Sequence, residues 1–204
     1  AAHTDDAAAS LSLCGATLTP LALPDLDLMI AAAAVVIQSE GLKTHRGFLA
    51  GDGGKMGRMP YQSMAAGAVL TERDVANAKR AGDLLTAQVD AALRNVDAII
   101  MPTTLTTAPA FSDFAGGTAK WTPMCTLPFN MTGHPALSVP MGFVKGLPLG
   151  LQIVGRPNEE ATLLRIGEAF ETFTDHGALD AYVMTQSGFT TLEVDRYAKT
   201  EETT

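Results

Sequence analysis

Two short apolar runs lie close together within residues 125–155, and the rest of the chain has to be arranged around them. The first, 136–144, alternates loosely and carries Leu137, Val139, Phe143 and Val144. The second, 149–154, is almost wholly apolar. Gly146 and Pro148 stand between them and mark a turn. The pattern predicts two buried strands paired antiparallel through a short connection. Buried strands need a layer on each face. The expected fold is therefore α/β, a mixed β-sheet with helices on both faces.

Helical periodicity elsewhere supplies those layers. Thr71 and Asp74 form a start like a capping box, with Asp in place of the usual Glu. Val75, Ala78, Gly82, Leu85, Val89, Ala92 and Val96 then recur at helical spacing. Asn158 reads as the N-cap of the last helix, with Leu163, Ile166, Gly167, Phe170 and Phe173 as its buried stripe and Gly177 as its stop. Asp25 caps a helix reaching Glu40 or Leu42. Its centre, 31–37, is apolar all round and is expected to be enclosed. Residues 1–13 are Ala-rich and helical, ended by Cys14 and Gly15. Residues 16–23 alternate, but Pro20 demotes them to an edge strand. A short helix is expected over 61–70, and a buried strand over 97–101 that Pro102 ends. The Thr-rich stretch 102–124 is a long loop, and loops of that length are functional or disordered.

Composition narrows the function classes. The 204 residues carry 47% hydrophobic and 18% charged side chains, enough for a real core. The net charge of −8 comes without any basic cluster interleaved with aromatics, which argues against nucleic acid and anionic membrane as partners. The longest apolar run, 28–37, is too short to span a bilayer. The start shows no signal-peptide pattern and no Met, and the chain reads as a segment of a longer protein. Cys14 and Cys125 form no disulfide framework, which points to reduced thiols and a cytoplasmic location, with Cys125 buried rather than reactive.

Several chemistry-bearing patterns fail on inspection. The Gly-rich segment 51–57 has Leu49 and Met56 where a P-loop needs Gly and Ser or Thr. It also has Met56 where a dinucleotide fingerprint needs Gly or Ala. The four histidines show no metal spacing, no Cys-x-x-Cys occurs, and there is no Gly-x-Ser-x-Gly elbow. No metal or cofactor is expected. Glu40 and His45 lie five apart and read as two polar side chains facing solvent, with an acid–base pair as the alternative. His134, between Gly133 and Pro135, reads as a packed, satisfied residue with a direct chemical role as the alternative.

The order of residues says more than their periodicity. Thr126-Leu-Pro-Phe-Asn130, then Thr132-Gly-His-Pro-Ala136-Leu-Ser-Val-Pro140, then Gly146-Leu-Pro-Leu-Gly-Leu-Gln-Ile-Val-Gly155, resemble the C-terminal half of the amidase signature family. Those enzymes hydrolyse carbon–nitrogen amide bonds. Asp97-Ala-Ile-Ile-Met-Pro-Thr103 is similar to the family's strand leading into a Pro-Thr loop. The resemblance runs over roughly 16–176. It implies that 1–177 is the C-terminal part of an amidase-like domain, with 178–204 an irregular tail.

The resemblance also implies a division of labour. The family's Ser nucleophile and bridging Ser sit in a Gly/Ser-rich segment, and its Lys base lies still earlier. This chain has no Ser-Ser pair, and its six lysines fall in segments that match later parts of the family. No catalytic residue is expected in it. The expected partners are a small-molecule amide substrate and a complementary N-terminal amidase segment, covalent or separate, with a homo-oligomer left open. The loop corresponding to 102–124 helps wall the family's acyl pocket. Thr103, Thr104, Trp121, Met124 and Phe129 are therefore the substrate-pocket candidates, with core packing as the alternative for Trp121. The glutamyl-tRNA amidotransferase branch places an acidic residue where Pro123 or Met124 stands here, which argues against glutamine hydrolysis. Trp121, Met124 and Phe129 suggest an apolar acyl group instead. The rival reading is a non-catalytic interaction or structural module that keeps the fold without the chemistry.

Overall fold

The computed structural model of the chain describes residues 2–114 and 124–176. The two apolar runs pair as expected. Strand β2, Ala136–Val144, and strand β3, Leu147–Val154, form an antiparallel hairpin. Its tip is Lys145-Gly146, both at positive φ (52° and 77°), which suits the twist of a tight hairpin. Strand β1, Ile99–Pro102, pairs antiparallel with the other side of β3, giving the order β1-β3-β2. A bulge between Pro140 and Gly142 bends β2.

Helices cover both faces of the sheet, so the α/β architecture holds. All the strand pairs among the described residues are antiparallel. On one face, Leu151 and Ile153 of β3 and Val139 and Met141 of β2 meet helix α1, Ala2–Leu13, and helix α6, Glu160–Phe173. On the other, Ile99 and Val154 meet helix α2, Leu26–Gly51, helix α4, Glu72–Ala92, and helix α5, Leu127–Thr132. Helix α3, Arg58–Ala66, packs on α2.

Several boundaries differ from the sequence reading for identifiable reasons. Helix α2 does not stop at Gly41 but runs to Gly51. A side chain at 41 would meet Met64 of α3 at 3.3 Å, so this glycine serves close helix packing instead of termination. Residues 16–23 form no strand, and Leu18 and Leu21 are exposed. The segment lacks a neighbouring strand among the described residues. Residues 127–132 form a helix that the sequence did not lead one to expect; near the first turn Pro128 loses no helical hydrogen bond. Asn158 is left-handed (φ 65°), and Glu159 occupies the N-cap of α6 instead. The stripe of α6 buries Leu163, Gly167 and Phe170 but leaves Phe173 exposed. The helix ends at Phe173, before Gly177, which lies outside the described residues. Helix α2 is not enclosed all round: Met29, Ala32 and Ala33 are buried, while Leu28 and Ile37 are more than half exposed.

Candidate functional site

Beyond the end of β1 the chain enters the Thr-rich loop, and hydrogen bonds strap that loop to the sheet. The Thr103 N–H donates to the Gly150 carbonyl at 2.8 Å. The Thr103 carbonyl accepts from the Cys125 N–H at 2.9 Å. The Cys125 carbonyl accepts from Gln152 Nε2 at 3.0 Å. These three bonds make a closed circuit that leaves β3 at Gly150, crosses both ends of the long loop, and returns to β3 at Gln152. A bridge between Thr104 and Met124 extends the same ribbon outward.

The floor of this corner is Gly150. A Cβ there would stand 2.6 Å from Thr103 Oγ1 and 2.7 Å from Ser138 Oγ, so only glycine lets the two hydroxyls approach. They hydrogen-bond to each other at 2.8 Å. Each hydroxyl carries one donor and two lone pairs, so the pair keeps hydrogen-bonding capacity for a ligand. Thr104 Oγ1 donates to the Thr106 carbonyl at 2.8 Å. Met124 is half-buried beside the fully buried Cys125. Burial pushes the Cys125 thiol up from the ordinary thiol range, which keeps it protonated and unreactive.

Of the five pocket candidates, Thr103, Thr104 and Met124 share this ribbon. Phe129 stands one layer deeper, in the core with Met29, Leu85 and Val89. Trp121 lies outside the described residues. Ser138, Gly150 and Gln152 were not singled out from sequence. Gln152 had a signal, as the lone polar side chain in the apolar run 149–154.

His134 is buried and fully engaged, with Nδ1 2.9 Å from Thr132 Oγ1 and Nε2 3.2 Å from Asp90 Oδ1. That is the environment of a satisfied packing residue. Two surface grooves, about 480 and 570 Å³, lie along α1 and α6, across the sheet from Gln152. Among the described residues no three His, Cys, Asp or Glu side chains are grouped to hold a metal, and no helix is long and apolar enough to cross a membrane.

The sequence profile of the amidase family matches residues 1–164. The A subunit of glutamyl-tRNA(Gln) amidotransferase from Chloroflexus aggregans is 43% identical over 100 residues, covering 48% of this chain and 20% of that subunit. The Chloroflexus aurantiacus subunit is 60% identical over 52 residues, 26% of this chain and 11% of that subunit. A structure from a vestigial protein complex tied to the origins of an s-triazine catabolic enzyme superposes with a TM-score of 0.70 at 27% identity, covering 84% of this chain and 38% of that one. A bacterial aryl acylamidase of the amidase signature family shares the fold, with a TM-score of 0.69 at 18% identity over 87% of this chain and 40% of that one. The chain thus spans a fifth or less of those subunits and about two fifths of those structures. The chain belongs to the amidase signature family.

Proposed function

We propose that this chain is the C-terminal half of an amidase fold and supplies part of the acyl pocket of an enzyme that hydrolyses small carboxylic amides. The observation that carries the reading is the strapped corner at Gly150. Two loop ends are fixed to the sheet, a hydroxyl pair lies over a glycine floor, and Met124 is bridged to the next residue, Thr104. Acyl transfer needs a nucleophile, a base and oxyanion donors, together with a wall that holds the acyl group still. Thr103, Thr104 and Met124 form that wall, Trp121 belongs to the same loop, and Phe129 backs it from the core. The Ser nucleophile, bridging Ser and Lys base come from a complementary segment.

A second reading has its own support. The amidotransferase A subunits are 43% and 60% identical in the matched segments. In that reading the amide is glutamine and the released ammonia passes to an acceptor. Pro123 and Met124 in place of an acidic residue weigh against it.

The test is ammonia release by the whole protein to which this chain belongs, over a panel of aliphatic and aromatic amides and glutamine. Preference for apolar acyl groups supports the first reading and preference for glutamine the second. No turnover of any amide, with the fold intact, supports a non-catalytic module.

A further inference from the structure

We propose that Gln152 is a positioning residue that holds one wall of the acyl pocket, the ribbon of Thr104 and Met124, in place. This inference rests on the amidase reading above. Gln152 is 2% exposed and lies in the middle strand, paired with Met101 on one side and Ser138 on the other. A primary amide placed there is unfavourable unless it is hydrogen-bonded. Its Nε2 reaches across to the Cys125 carbonyl at 3.0 Å, a residue 27 positions earlier.

The geometry gives this bond a specific task. The Cys125 N–H is already committed to Thr103, so the Gln152 bond fixes the peptide on the other side of the same residue. With both peptide planes of Cys125 held, the directions in which Met124 and Thr126 leave are set. Met124 bridges to Thr104, so the two loop ends move as one ribbon, and the reach of one glutamine side chain sets where that ribbon stands over β3. Gln152 is buried beneath this ribbon, so it acts through Met124 and Thr104 on the acyl group and not on the reacting atoms.

Cys125 provides a reporter that is independent of turnover, because its thiol is fully buried beside the bond in question. The experiment uses the whole protein carrying Cys14→Ser, with and without Gln152→Leu, which keeps similar bulk and removes the donor. Arg156→Lys, which weakens a different side chain-to-backbone anchor, serves as the control for general destabilisation. Alkylation of Cys125 by iodoacetamide under native conditions is followed, together with kcat and KM for amides of increasing acyl length.

Losing one buried hydrogen bond predicts alkylation about tenfold to a hundredfold faster in Gln152→Leu. It also predicts a raised KM and a flattened dependence on acyl length, with kcat for the smallest amide unchanged. Arg156→Lys should leave the acyl-length dependence intact. Unchanged alkylation overturns the proposal, and so does faster alkylation with an unaltered KM series. An absence of turnover in the unsubstituted protein counts against the amidase reading, and the alkylation rates then decide whether Gln152 holds the loop.

Discussion

His134 joins helix α4 to the start of β2 by placing Nε2 3.2 Å from Asp90 Oδ1. In the tautomer that donates from Nε2 to the Asp90 carboxylate, Nδ1 accepts from the Thr132 hydroxyl. Asp90→Ala removes the acceptor for a buried N–H. The Asp90 side chain is half exposed, so water compensates in part, and the expected loss is about 1 kcal/mol. His134→Ala also opens a cavity and should cost about 3 kcal/mol. Urea denaturation of both variants checks the order; equal losses would contradict it.

The start of helix α4 makes a pH prediction. Thr71 donates to Asp74 from its hydroxyl and its backbone N–H, and these bonds hold the Asp74 carboxyl below the usual carboxylate range. A depressed acid contributes stability above its unfolded pKa and loses it as pH falls through its folded value. The difference in thermal midpoint between wild type and Asp74→Asn should therefore be present at neutral pH and vanish in strong acid. A difference that persists unchanged there would contradict the assignment.

The hairpin tip offers a stabilising change. Lys145 occupies a left-handed position at φ 52° that asparagine adopts more readily. Lys145→Asn should raise the thermal midpoint, while Gly146→Ala, at φ 77°, should lower stability by about 1 kcal/mol. A scan in which both move in the same direction would sink the turn argument.

Close packing of α2 on the short turn after α3 depends on Gly67. A Cβ there would meet the Gln38 carbonyl oxygen at 2.3 Å, and that neighbour is backbone. Gly67→Ala should destabilise by about 1–3 kcal/mol, read from the urea midpoint. A neutral substitution would mean that α2 and this turn separate at little cost.

The hairpin and α4 were legible because their signals are local. Gly146 marks the turn, and the Thr71 box marks the helix start. Helix α5 was missed because its six residues are too few to show a helical period. Asn158 was mistaken for a cap because a polar residue before two acids has the same composition whether it caps or turns. The loop candidates Thr103, Thr104 and Met124 came from family resemblance, since nothing in their spacing brings them together. Gln152 stands out in its apolar run, but its partner Cys125 is fixed only by tertiary folding.

The central claim is that this chain provides pocket walls and no catalytic group. The most direct measurement is amide turnover by the purified 204-residue chain, alone and with a complementary amidase segment carrying the Ser, Ser and Lys. The account predicts no turnover above background by the chain alone and turnover on addition of the segment. Loss of a full set of catalytic residues in a serine hydrolase lowers kcat on the order of a millionfold. Robust turnover by the chain alone, abolished by changing His134 or Cys125, would contradict it.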